Sequence, residues 1–251
     1  MKGVILAGGL GSRLRPMTLV TNKHLLPVYD RPMVYYPIQT LLNAAIDEIL
    51  VVTGGEHAGD FLKLLKNGKQ LGIKHLEYAY QEGEGGIADA LKLAEDFADG
   101  QKICVVLGDN LIQHNIRQAA SEFYVQASGA RILLKQVPDP QRFGVIEFEG
   151  EVGGSPIKQI IEKPSDPPSD YAVTGIYFYD ATVFDIANEQ RPSDRGELEI
   201  TDVNNAYLER GDLKYNLLDG WWTDAGTIES LHRASTLVAE GGANNVQDGA
   251  R

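Results

Sequence analysis

The sequence predicts an α/β fold in which a mainly parallel sheet is covered by helices on both faces. Three observations lead there. Short apolar, β-branched runs alternate with longer stretches of helical spacing through the first half of the chain. Glycine-containing turns follow two of those runs. The 251 residues, 43% hydrophobic and 23% charged, are enough to enclose one large core.

Taken in order, Val4-Ile5-Leu6 is the first candidate central strand, residues 49–52 the second and residues 103–107 the third. Runs this apolar, without polar alternation, fit strands buried on both faces. Between them, residues 34–45 and 60–66 repeat apolar side chains at helical spacing, which completes βαβ units. In such sheets ligands bind beyond the carboxyl ends of the strands, where the turns at Gly8 and at Gly108-Asp109-Asn110 lie. In the second half, residues 131–134, 143–148, 157–161 and 172–179 read as strands with fewer helices between them, so mixed pairing and a subdomain over the strand ends are expected. Residues 164–170, rich in proline, serine and aspartate, form a rigid polar loop. The polar, glycine-rich stretch after Val238 is expected to fray, which sets a single domain at residues 1–238 and a flexible tail at 239–251.

Charge narrows the function classes. A net charge of -12 argues against nucleic acid or an anionic membrane as partner. The N-terminus shows Lys2 and a short apolar strand in place of a signal-like region, and no long apolar run occurs, so a cytoplasmic protein without membrane spans is expected. Cys104 is the single cysteine; it excludes an intrachain disulfide, and its apolar neighbours place it in the core. A polyphosphate would also be repelled unless its site were locally basic or held a metal. Cations beside glycine turns therefore gain weight.

The first such turn is the most informative. Gly8, Gly9 and Gly11 let backbone N–H groups approach a polyphosphate, and Arg13 adds a fixed cationic fork at the turn's end. The spacing matches neither a Walker A loop nor the dinucleotide fingerprint, whose third glycine is replaced by Leu14, and a plain tight turn is the bland alternative. Asp109 and Asp224, each beside glycine or aromatic residues, suit Mg²⁺, which takes one or two carboxylates plus substrate phosphates; a helix cap or an Asx turn is the alternative for each. Lys23 and Lys163, each next to a proline-stopped apolar segment, are either phosphate contacts or solvated surface charges. Glu197 and Glu199 look as much like first-turn helix carboxylates as like a site, and the five histidines read as structural or surface residues.

Eight motifs occur in order: Leu-Ala-Gly-Gly-Leu-Gly-Ser-Arg-Leu at 6–14, Asn-Lys-His-Leu-Leu-Pro-Val at 22–28, Leu-Gly-Asp-Asn at 107–110, Arg-Phe-Gly-Val at 142–145, Glu-Lys-Pro at 162–164, Ala-Val-Thr-Gly-Ile-Tyr at 172–177, Arg-Gly-Glu-Leu-Glu-Ile-Thr-Asp at 195–202 and Trp-Thr-Asp-Ala-Gly-Thr at 222–227. Together they resemble the glucose-1-phosphate thymidylyltransferases of the sugar-nucleotidyltransferase superfamily, over residues 1–238. The resemblance implies a single-domain, Rossmann-like three-layer sandwich of the nucleotide-diphospho-sugar transferase type. It also implies an Mg²⁺-dependent enzyme that makes dTDP-glucose and pyrophosphate from dTTP and α-D-glucose 1-phosphate by direct in-line attack, supplying a rhamnose or other deoxysugar pathway as a homo-oligomer, dimer or tetramer.

Position by position, the resemblance gives the nucleotide to Leu6, Gly8, Gly9, Gly11, Ser12, Arg13, Gln81, Gly86 and Asp109, with Gln81 and the Gly85-Gly86 backbone reading the thymine edge. It gives catalysis to Arg13, Lys23 and Lys163, the metal to Asp109 and Asp224, and the sugar to Gly144, Glu162, Lys163, Val173 and Gly175. Two rivals stay open: the same chemistry with UTP or another hexose 1-phosphate, and a non-catalytic sugar-nucleotide sensor. Two departures stand out. His24 replaces the glutamine of longer relatives, and the chain stops where many relatives add helices for assembly and for a regulatory nucleotide site, which puts feedback inhibition in doubt.

Overall fold

The computed structural model describes residues 1–151, 155–193 and 195–246. β1 (Lys2–Ala7) begins a β1-loop-α unit that also contains the two-residue strands β2 (Pro27–Val28) and β3 (Arg31–Pro32) before α1 (Tyr35–Asn43). The chain then alternates β4 (Glu48–Gly54), α2 (Ala58–Leu65), β5 (His75–Gln81), the short helices α3 (Ile87–Lys92) and α4 (Glu95–Ala98), and β6 (Ile103–Leu107). β4, β1 and β6 are the three central strands expected from the apolar runs, and α1 and α2 occupy the two helical stretches.

In the second half, β7 (Asn110–Ile112) and α5 (Arg117–Val125) precede β8 (Ala130–Gln136), β9 (Gly144–Phe148), β10 (Ile157–Glu162) and β11 (Tyr171–Tyr179). α6 (Val183–Glu189), α7 (Ile200–Glu209), β12 (Leu213–Leu217), β13 (Trp222–Asp224) and α8 (Ile228–Gly241) complete the described elements. Residues 164–170 carry no regular element, as their composition predicts.

Nine of the described strands form one sheet, in which β5-β4-β1-β6 run parallel and β11 joins β6 antiparallel. Residues 176–179 of β11 pair with β6, whereas Ala172 pairs with Val145 of β9. β11 thus runs beyond the carboxyl end of β6, and the β9-β10 ribbon is carried out over that end. This is the mixed pairing and covering subdomain expected of the second half. Along β1 the side chains alternate between two cores: Val4 and Leu6 face a cluster with Leu91, Phe184 and Val203, while Ile5 and Ala7 face one with Ile38, Phe61 and Phe123. The sheet therefore lies between two helical layers. Cys104 is buried in the second core, where burial pushes its thiol pKa well up.

The expectation for the stretch after Val238 is corrected for residues 239–246, while 247–251 lie outside the described residues. α8 continues to Gly241, and Asn244 is 8% exposed. Asn244 donates from Nδ2 to Tyr36 O at 3.0 Å and accepts at Oδ1 from Thr40 Oγ1 at 2.9 Å. Its backbone N–H donates to Ile112 O at 2.9 Å. Polar composition suggests fraying, but here the polar atoms are the ones that dock. Among the described residues, no helix is long and apolar enough to cross a membrane.

Candidate active site

A cleft of about 330 Å³ opens at the carboxyl ends of the central strands, beneath the β9-β10 ribbon. Its order follows the sheet: Gln81 ends β5, the glycine turn follows β1, Asp109 follows β6, and Glu162 ends β10. Of the residues assigned to the site, Gly11, Ser12 and Gly85 lie outside the cleft lining, and the others from Leu6 to Asp224 line it. Gly11 has φ 67°, and a Cβ there would lie 2.8 Å from Lys23 Cβ, so the turn closes against the lysine only with glycine. The role of Gly11 is to shape the loop.

At the base end, Gln81 is oriented by its own protein. Its Nε2 donates to Gly86 O at 3.1 Å and to Asp89 Oδ2 at 3.2 Å, while Oε1 faces Gly8. Both Nε2 hydrogens are thus taken by the protein's own acceptors, so in the pairing of Gln81 with the Gly85-Gly86 backbone that the resemblance implies, the side chain is left with Oε1 as an acceptor. Gly86, at φ 96°, is pressed on Leu198, whose N and O would lie 2.8 and 2.6 Å from a Cβ. Leu198 N donates to Gly85 O at 2.9 Å and Ala88 N to Leu198 O at 3.1 Å, so the segment before α7 supports the base loop.

At the centre, β13 pairs with β7 so that Asp224 lies opposite Asn110, next to Asp109. A Cβ placed on Gly226 would lie 3.1 Å from Arg13 Nη2, 3.2 Å from Asp224 Oδ2 and 3.5 Å from Asp109 Oδ2. Residues separated by more than two hundred positions thus converge on one point that lacks a side chain. Asp109 is salt-bridged to Lys23 Nζ at 2.5 Å, and Arg142 Nη2 bridges Asp224 at 2.9 and 3.0 Å. Burial pushes the Asp109 pKa up, but Lys23 outweighs it and holds the carboxyl far below the usual carboxylate range. His24 packs under this centre, with Nδ1 2.8 Å from Asn22 Oδ1 and its ring against Gly108. Burial, then Lys23, lowers its pKa to about 3, so the imidazole is neutral. It is a structural histidine in the cleft floor.

The described residues contain no cluster of three or more histidine, cysteine, aspartate or glutamate side chains suited to a metal. Asp109 and Asp224 nevertheless fit Mg²⁺, because they supply two hard carboxylates beside the side-chain-free Gly226, and that ion completes its shell with phosphate oxygens and water.

At the far end, Glu162 Oε2 accepts from Thr201 Oγ1 at 2.6 Å, and Oε1 lies 3.1 Å from Lys163 Nζ and 3.3 Å from Arg195 Nη2. Arg195 is held by Glu199 at 2.7 Å. Lys163 has φ 44°, in the left-handed region that non-glycine residues rarely adopt, a strain typical of functional positions. Gly144 sits opposite Glu162 in the β9-β10 ladder. Asn110 Oδ1 accepts from Gly175 N at 2.9 Å and from Trp222 Nε1 at 2.7 Å, tying the two walls together. Glu199 is the N-cap of α7 without a side-chain capping bond and Glu197 precedes the helix, so neither is the first-turn carboxylate expected as the alternative, a place taken by Asp202; both line the cleft.

Arg142, Arg195, Thr201, Trp222 and Asn110 line the cleft and lie within the motifs, but the motifs assign them no role, and Asp89, which holds Gln81, lies outside every motif. Their only sequence signal is adjacency to assigned residues. An arginine's direction is set by the partner it finds, here Asp139 and Asp224 for Arg142.

A nucleotidyl transferase family profile matches residues 2–241. The chain is 45% identical over 241 residues to the glucose-1-phosphate thymidylyltransferase of Neisseria meningitidis, covering 95% of this chain and 82% of that protein. It is 45% identical over 240 residues to the enzyme of the same name from an Actinoplanes species, covering 95% and 78%. Among solved structures, a Bacillus anthracis chain assigned as a glucose-1-phosphate thymidylyltransferase, in complex with a sucrose, superposes with TM-score 0.90 at 51% identity over 96% of both chains. A UDP-glucose pyrophosphorylase complexed with UDP-glucose superposes with TM-score 0.84 at 25% identity, covering 95% of this chain and 98% of that one.

Proposed function

The chain belongs to the nucleotidyl transferase family, and from that premise we propose that it transfers a thymidylyl group from dTTP to α-D-glucose 1-phosphate, giving dTDP-glucose and pyrophosphate. The observation behind this reading is the order of groups along one cleft: a base acceptor at Gln81, a cation-carboxylate centre at Lys23, Asp109 and Asp224, and a hydroxyl acceptor at Glu162. A nucleoside triphosphate and a sugar phosphate meet in that order at the α-phosphate.

The reaction joins two anions, so charge neutralisation and alignment supply the catalysis rather than a protein nucleophile. Gln81 Oε1 accepts from the base, and the turn from Gly8 cradles the triphosphate. Arg13 and Lys23 take up charge on the α-phosphate and on the departing pyrophosphate. Lys163 and Arg195 hold the phosphate of the sugar, and its oxygen attacks in line as the bond to pyrophosphate breaks. Glu162, oriented by Thr201, accepts from sugar hydroxyls. Asp109 and Asp224 would hold Mg²⁺, which supplies neutralisation of the phosphate oxygens when bound.

The finer proposals are a cytoplasmic homo-oligomer, dimer or tetramer, feeding a rhamnose or related deoxysugar pathway. Incubation of the protein with dTTP, glucose 1-phosphate and Mg²⁺ should release pyrophosphate and dTDP-glucose in equal amounts. Parallel runs with UTP and other hexose 1-phosphates define the range, and no pyrophosphate release with any pair would overturn the reading.

A further inference from the structure

Each of the two metal-site carboxylates already has a cation. Arg142 makes a two-pronged contact with Asp224 and stays tethered to Asp139 at 2.8 Å by its other nitrogen. Lys23 covers Asp109, Arg233 Nη2 stands 3.9 Å from Asp224, and Arg13 completes the ring beside Gly226. Four cations, Lys23, Arg13, Arg142 and Arg233, face three carboxylates, Asp109, Asp224 and Asp139, so the centre keeps a positive balance in a protein whose net charge is -12.

We infer that Arg142, with Lys23, keeps the Asp109-Asp224 pair closed to a free divalent cation, so that the metal enters only together with a polyphosphate. This rests on the nucleotidyl-transfer reading of the cleft. A hydrated Mg²⁺ sheds water reluctantly, and to bind alone it must break two charge-assisted pairs while approaching like charge. A triphosphate is drawn in by the same cations and offers Lys23 and Arg142 replacement acceptors. Both carboxylates are then released as the metal arrives on the phosphates. Asp139 lets Arg142 leave Asp224 without leaving the cleft. Arg142 is thus a positioning residue acting on the metal site.

The test is direct metal binding, with Mn²⁺ as the probe and water-proton relaxation enhancement as the readout, on the full chain without substrates. The free wild-type protein should give no enhancement at millimolar Mn²⁺, and enhancement should appear when α,β-methylene-dTTP is added. Arg142→Gln should bind Mn²⁺ without nucleotide about ten-fold more tightly than wild type, since one charge-assisted pair no longer has to be broken. A second change, Asp224→Asn, should abolish that gain. Arg142→Met is the second variant, and circular dichroism with thermal melting establishes that each is folded. Equal Mn²⁺ binding by free wild type and Arg142→Gln overturns the inference, as does a folded Arg142→Met that stays silent. Product formation is scored separately: an active enzyme whose free form binds Mn²⁺ tightly overturns the inference alone. An inactive one whose free form stays closed and opens on Arg142→Gln overturns the reaction alone.

Discussion

Asn244→Ala is expected to destabilise the protein, although composition marks its segment as dispensable. The side chain spans α1 and the end of α8, donating to Tyr36 O and accepting from the Thr40 hydroxyl, with 8% of the residue exposed. Alanine deletes both bonds and leaves a carbonyl and a hydroxyl without that partner in a buried place, a loss of about 2–3 kcal/mol. At about 0.5 kcal/mol per kelvin of unfolding entropy for a chain this long, Tm should fall by about 4–6 °C. The neighbouring backbone matters too: Asn244 N and Asn245 N donate to Ile112 O and Gln113 O at 2.9 and 2.7 Å, at the end of the strand that begins with Asn110 and pairs with Asp224. Truncation after Val238 removes these bonds as well, so its Tm should fall further and its Mg²⁺ requirement should rise. Differential scanning calorimetry of wild type, Asn244→Ala and the truncation, with turnover against Mg²⁺, measures both. A Tm within about 1 °C of wild type for either variant would refute the docking argument.

The remaining predictions concern the cleft. Arg13→Ala should lower kcat by roughly 10² while the KM for dTTP changes much less, and Arg13→Lys should restore little because the planar fork is lost; steady-state kinetics with near-normal kcat would remove Arg13 from the mechanism. Asp109→Asn and Asp224→Asn should each raise the Mg²⁺ needed for turnover, with the double change clearly less than additive because both carboxylates converge beside Gly226; multiplicative losses in Mg²⁺ titrations would separate their roles. Gln81→Ala should weaken dTTP and UTP alike, by about 1–3 kcal/mol, since the two bases share the edge it reads; a loss confined to one, in competition binding, would contradict that. Burial lowers the His24 pKa to about 3 in the folded protein from the ordinary 6.5 of an exposed histidine, so between those values the unfolded chain binds the extra proton and stability falls as pH falls. His24→Gln should flatten the acid side of a Tm-against-pH curve in that window, and an unchanged slope would show that other groups set it.

Much of this molecule is decided by local sequence. The runs at residues 4–6, 49–52 and 103–107 are too apolar to be anything but buried, and they became three adjacent strands whose carboxyl ends face one cleft. The glycine turn, Lys23, Asp109, Lys163 and Asp224 carry their chemistry in residue type and neighbours, so they were legible as candidates before any fold was known. Only tertiary structure could join them, because Asp224 meets Asn110 through a strand pairing that no local pattern encodes. The orientation of Gln81 by Asp89 and the hold of Arg142 on Asp224 are likewise choices among partners offered by the fold. The segment after Val238 shows the same rule in reverse. Local composition gave its polar atoms no reason to pack, and the carbonyls of Tyr36 and Ile112 gave them one, since buried backbone acceptors are matched wherever a donor can reach them.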